Sequence, residues 1–155
     1  MSGMTSQLAN FAADLNYDDL PAEVIERTKL LIFDITGIMV RARHDAESTA
    51  SMISAVERLG LASGDCSVIG DTRAYASTAA ALVNGTLAHS LDFDDTHAAG
   101  SLHSSAPIVP AALAAAEMAG SSGRDLIAAC IVGYEVQIRL ALALNPSEHY
   151  DRGFH

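Results

Sequence analysis

The chain has 155 residues, half of them apolar and 18% charged, with a mean hydropathy of +0.23. That length suits one ordinary domain, and such an apolar content excludes a disordered chain, which could not bury enough surface to offset the ordering of its backbone. Nineteen Asp and Glu against nine Lys and Arg leave a formal charge of −10, which argues against nucleic acid and anionic lipid as partners.

The elements follow in chain order. Leu8, Phe11, Ala12 and Leu15 share one face at helical spacing, which predicts a first helix over Thr5–Leu15. NYDDL (Asn16–Leu20) reads as a turn. Pro21 suits the first turn of a second helix, which carries Val24, Leu31, Ile35 and Ile38 and is expected to end near Val40. Asp45 is expected to cap a third helix, Ala46–Leu59, stopped by Gly60. Cys66–Ile69 is the only β-like piece. Helix is expected again from Ala74 to about Asp95, with Asn84-Gly85 as a candidate kink, and THAAGSL (Thr96–Leu102) reads as a flexible loop. Ser104 or Ser105 can cap a helix through Met118, with a bend or later start at Pro110. After the GSSG connector, Leu126–Leu144 is interrupted in its apolar character only by Glu135, Gln137 and Arg139, with Gly133 neutral. With 28 alanines and no tryptophan, the chain reads as about six helices and almost no sheet.

A helix apolar nearly all round normally belongs to the core of something large. Together with the polar, loop-like ending NPSEHYDRGFH, it gives the expectation of a truncated chain or an extensive oligomer. Cys66 and Cys130, 64 positions apart, suit buried thiols in a reducing compartment better than a disulfide scaffold or a metal clip. No basic n-region opens the chain, and no apolar run is expected to reach the roughly 18–20 residues of a spanning helix. A cytoplasmic protein without a membrane partner is the expectation.

The chemistry is concentrated in His89, Asp92, Asp94, Asp95, Thr96, His97 and His103. If the helix runs on to Thr96, then His89, Asp92 and Thr96 share a face, while Asp94 points elsewhere and is expected to be solvated. His89, amid apolar helix, reads as a core histidine. Neighbouring carboxylates and an imidazole in a partly buried cleft are the ingredients of an acid–base pair. The same residues could bind a divalent cation, but H-E-x-x-H and a second ligand block are absent, and no metal is expected. An Asp-rich pyrophosphate–magnesium helix would want a third acid at the position of Ala98. The remaining alternative is a solvated acidic helix end followed by a surface loop.

NGTLAHSLDFDDTH (Asn84–His97) and HSSAPIVPAALAAAE (His103–Glu117), with the opening LANFAADLNYDDLPAEVIERTKLLIFDITG and the closing RGFH, resemble the MmgE/PrpD family of 2-methylcitrate dehydratases, cis-aconitate decarboxylases and iminodisuccinate epimerases. The resemblance covers residues 1–155 and implies an all-α, bundle-like N-terminal part of the family's large helical domain. It implies a cofactor-free lyase on a small polycarboxylate such as 2-methylcitrate, in propionate metabolism, working as a homodimer. Decarboxylase or epimerase chemistry is the alternative, as is a catalytically silent helical module serving as an interaction surface. Asp92, Thr96, His103 and His155 match the family's catalytic positions. Asp95 and His97 are carried as substrate-binding or orienting groups. Where the family usually has proline after the block's histidine, this chain has Ser104. The family's catalytic lysines and tyrosine have no counterpart here, and no arginine lies between Arg73 and Arg124. The chain is therefore expected to supply acid–base groups without an anion clamp.

Overall fold

The computed structural model describes residues 3–154. Among these the chain forms seven α-helices and one two-residue-per-strand hairpin, the all-α architecture expected. Helices α1 (Met4–Asp14), α2 (Ala22–Asp45), α3 (Ser48–Arg58), α4 (Ser77–His89), α5 (Ser105–Ala119), α6 (Gly123–Ala143) and α7 (Pro146–Asp151) follow in order, with β1 (Cys66–Ser67) and β2 (Ala74–Tyr75) between α3 and α4. The strands pair antiparallel, Cys66 opposite Tyr75 and Ser67 opposite Ala74.

Helix α4 is the hub. It packs against α2, α3, α5 and the hairpin, and Ala79, Ala80, Val83, Leu87 and Ala88 are buried along it. Its alanines let the neighbouring axes come close. Across from it, α2 contributes Ile35, Met39 and Ala42, all fully buried. Helix α5 then lies between α4 and α6. A methyl group at Gly133 would stand 2.7 Å from Ile108 Cγ2, so the α5–α6 crossing needs a residue without a side chain.

Two polar clamps fix the hairpin. Asn84 of α4, 1% exposed, accepts from the Ile69 amide at 2.8 Å and donates to the Ser67 carbonyl at 2.9 Å. Asp71 accepts from Arg73 Nη2 at 3.0 Å and from the Tyr75 hydroxyl at 2.8 Å. The Arg73 guanidinium holds the Asp71 carboxyl well below the usual carboxylate range.

Several boundaries differ from the sequence expectation. Helix α2 continues five residues past Val40 because Ala42 is fully buried and Arg43 reaches toward Asp71, 3.4 Å away. Asp45 thereby closes α2 and does not cap α3, which starts at Ser48. Asn84-Gly85 makes no break in α4, and Pro110 sits buried inside α5. The closing stretch forms α7, with Pro146 in its first turn.

Helix α6 overturns the expectation that no apolar run reaches a spanning length: its 21 residues include a window of mean hydropathy 1.7. By length and composition alone it could cross a bilayer; here it packs on α5, α2 and α1. It starts at a capping box in which the Asp125 amide donates to Ser122 Oγ and the Ser122 amide to Asp125 Oδ2. Its far end is uncovered, with Leu140 and Leu144 51% and 62% exposed, beside an open groove shared with Leu8 and Phe11 of α1.

Both cysteines are buried and unpaired. Burial pushes the Cys130 thiol from its ordinary 9.0 up to about 11 and the Tyr134 hydroxyl from 10.0 up to about 12. Both folded values exceed the unfolded ones, so the stability these neutral groups contribute is complete below pH 9 and is lost as pH rises through about 11 and about 12. The urea midpoint is expected to hold steady from pH 7 to 9 and fall steeply above it, with the fall reduced in Cys130→Ala. An equal fall in that variant would remove the thiol from the explanation.

Candidate active site

Helix α4 stops at His89, six residues before the point that its sequence pattern suggests. The chain turns there because Asp92 adopts a left-handed backbone, φ 54°, which aspartate tolerates better than most residues. The Asp92 amide donates to the His89 carbonyl at 3.0 Å and closes the turn. Two residues on, Asp94 is carried back beneath the helix end.

Asp94 is the anchor of the site. Its side chain is fully buried, not solvated as its sequence setting suggests. His89 Nδ1 lies 3.0 and 3.1 Å from its two carboxylate oxygens, and His103 Nδ1 lies 3.2 Å from Oδ2. His89 is correspondingly no core histidine: its side chain is 54% exposed at the α4 terminus. The two rings meet edge to face, centroids 4.8 Å apart. His103 Nε2 faces Asp92 Oδ1 at 4.0 Å, with the Asp92 side chain 80% exposed. His89 and His103 line an open cleft of about 680 Å³ between α4 and α5, walled by Ala81, Leu82, Gly85, Ala106 and Pro107. His89, Asp92, Asp94 and His103 offer one donor atom each within 4.8 Å of one another.

Thr96, Asp95 and His97 are not part of that cleft. They line a neighbouring cavity of about 280 Å³ that also meets Arg27, Ser104 and Tyr134. Because α4 ends at His89, the shared helical face expected for His89, Asp92 and Thr96 does not exist. Asp95 Oδ1 accepts from the Ser105 amide at 3.0 Å and so satisfies a free donor at the start of α5, where Ser104 makes no side-chain cap. His97 Nδ1 accepts from the Gly100 amide at 3.0 Å, and its own amide donates to the Leu102 carbonyl at 2.8 Å. The stretch read as a flexible loop is thus a closed turn around a short 3-10 segment, Ala98–Gly100. This turn delivers His103 to the cleft. His155 lies outside the described residues.

The sequence pairs Asp92 with His103, and the fold brings those two together. Asp94 and His89 join them without a sequence pattern that pairs them. Their five-residue separation matches neither helical nor strand spacing, and only a chain reversal joins them. One signal was available, namely three aspartates within four positions (Asp92, Asp94, Asp95) on either side of one aromatic, Phe93. That density is hard to keep on a continuing helix whose C-terminal dipole end disfavours carboxylates.

Chemically, a buried carboxylate behind two imidazoles, with a second carboxylate 4.0 Å from one of them, can hold and pass a proton to something seated in the cleft. Among the described residues, its lining contains no lysine or arginine.

The model of the MmgE/PrpD N-terminal domain matches residues 6–155. A cis-aconitate decarboxylase-like protein, oryM, of Aspergillus oryzae is 34% identical over 161 residues, covering 98% of this chain and 33% of that protein. The cis-aconitate decarboxylase of Aspergillus terreus is 34% identical over 161 residues, 99% of this chain and 32% of its own length. The human cis-aconitate decarboxylase is 33% identical over 163 residues, 100% of this chain and 33% of its own length. The chain spans about a third of the length of the curated relatives it matches.

Proposed function

The chain belongs to the MmgE/PrpD family, and from that premise we propose that it carries the acid–base groups of a cofactor-free lyase acting on a small polycarboxylate. Decarboxylation of cis-aconitate is the reaction favoured, because the relatives at 33–34% identity bear that name. The observation that carries the reading is the contact of Asp94 and Asp92 with the two imidazoles, His103 and His89, that line one cleft.

In that reaction the bond between carbon and a leaving carboxylate breaks, and its electron pair stays on carbon. CO₂ departs, and His103 gives the carbanion a proton from Nε2, leaving a dicarboxylate. Asp92, 4.0 Å from that nitrogen, returns the proton from solvent. The substrate's remaining carboxylates need cationic partners, best supplied by forked arginines or desolvated lysines. Among the described residues the cleft lining has none, and we assign them to groups outside that lining, including those of a second subunit of a homodimer. Dehydration of 2-methylcitrate uses the same groups differently, with a base taking the proton α to a carboxylate and an acid protonating the departing hydroxyl.

The test supplies cis-aconitate and 2-methylcitrate separately to the natural full-length protein and follows products by proton NMR. CO₂ release from cis-aconitate, with one solvent hydrogen in the product, is the expected result. Water loss from 2-methylcitrate alone would replace decarboxylation by dehydration. Turnover of neither by a folded protein would refute both. The 155-residue chain by itself is expected to turn over neither, for want of the anion clamp.

A further inference from the structure

The most unusual group in the molecule is the Asp94 carboxylate. It is fully buried, and among the described residues no lysine or arginine pairs with it. A buried carboxylate without a partner is costly, so its neighbours decide its role. Those neighbours are two imidazoles, both turned to it through Nδ1. His103 Nδ1 is itself buried and makes no other polar contact among the described residues; at 3.2 Å from Asp94 Oδ2 it stands off the line of a good hydrogen bond. The His89 contacts, at 3.0 and 3.1 Å, meet the hydrogen-bond geometry.

We propose that Asp94 is a positioning residue, one that fixes the tautomer and aim of both His103 and His89, and that His89 is a second imidazole presented to the substrate. The proposal rests on the acid–base reading of the cleft above. A carboxylate anion only accepts, so the ring nitrogen facing it must carry the hydrogen. Each neutral ring then keeps its lone pair on Nε2, the nitrogen directed away from Asp94. For His103 that nitrogen faces Asp92; for His89, more than half exposed, it is open to the cleft. An imidazole held this way can take a proton at Nε2 and give it back without rotating. The arrangement follows the logic of a carboxylate behind a catalytic histidine, here doubled. The charged and titratable groups around His103 are Asp94 behind it, Asp92 in front and His89 beside it.

Two measurements test this. The first needs no variant: long-range ¹⁵N–¹H correlation on the histidine-labelled natural full-length protein, under conditions where the rings are neutral. His103 and His89 are expected as Nδ1–H tautomers. The Nε2–H form for His103 would overturn the proposal whatever the activity of the protein.

The second uses Asp94→Asn in the natural full-length protein. Its amide can donate to Nδ1 and so favours the opposite tautomer. The expected result is a kcat lowered by about 10²-fold or more, with KM changed only a few-fold and a displaced pH profile. Asp94→Glu is expected to recover part of the loss. An unchanged kcat and pH profile in Asp94→Asn, alongside loss of activity in His103→Ala, would sink the positioning role and leave the function standing. Wild-type activity lost to EDTA and restored by Zn²⁺ would also overturn it, because Asp94 would then be holding a cation. If His103→Ala keeps the wild-type rate, the functional reading itself fails, and the tautomer measurement still decides the role of Asp94.

Discussion

His103→Ala, made in the natural full-length protein, is expected to lower kcat by about 10²–10⁴-fold, the usual worth of a positioned acid or base. The ring is the one group that touches every part of the site. It lines the cleft, stands 4.0 Å from Asp92 through one nitrogen and 3.2 Å from Asp94 through the other. Its removal takes the proton donor from the cleft and leaves His89 still bonded to Asp94. The fold should therefore lose only about 1 kcal/mol, the net worth of an ordinary polar contact. His103→Gln separates the two effects, since an amide fills much of the same space but does not titrate. Activity should be as low as in the alanine variant, and the urea midpoint closer to wild type. A rate within a few-fold of wild type in either variant would remove His103 from the chemistry.

The largest effect on stability is expected from Asn84→Ala. Asn84 is 1% exposed and ties α4 to the hairpin through two bonds to backbone groups of residues 67 and 69. Alanine would leave an amide and a carbonyl without partners and open a void between α4 and the hairpin, at a cost of about 2–5 kcal/mol. The urea midpoint should drop with its slope unchanged. Asn84→Leu tells the two causes apart, because it restores most of the volume but neither bond. Leucine is expected to be no better than alanine. Full recovery in the leucine variant would mean that packing, not hydrogen bonding, holds the hairpin.

The helices were legible because their signals are local. Apolar residues marked α1 and α2, and cap and stop residues marked α3 and α5. Gly60 stands in the left-handed region just past α3, as its reading as a stop implies, and Gly120, the first residue of the connector, does the same at the end of α5. The end of α4 was not legible. Leu91 continues the apolar pattern beyond His89, and the left-handed turn at Asp92 that ends the helix goes with a tertiary event, the burial of Asp94 against two rings. Helix propensity is a weak prior against such an interaction. The same event explains how the site was only partly read. Asp92 and His103 stood out by chemistry and by resemblance, whereas Asp94 looked like surface charge and His89 like core. Thr96, Asp95 and His97 line the neighbouring cavity, where Asp95 and His97 accept from backbone amides. Residue type alone does not say which of two adjacent cavities a carboxylate faces.

The most direct test is a crystal structure of the natural full-length protein with an unreactive tricarboxylate bound. The expected result is a ligand in the cleft between α4 and α5, with a carbon at the reacting position about 3–3.5 Å from His103 Nε2 and Asp92 at its edge. A ligand seated elsewhere, with His103 and Asp92 both turned to bulk water, would contradict the shared-cleft chemistry at its root.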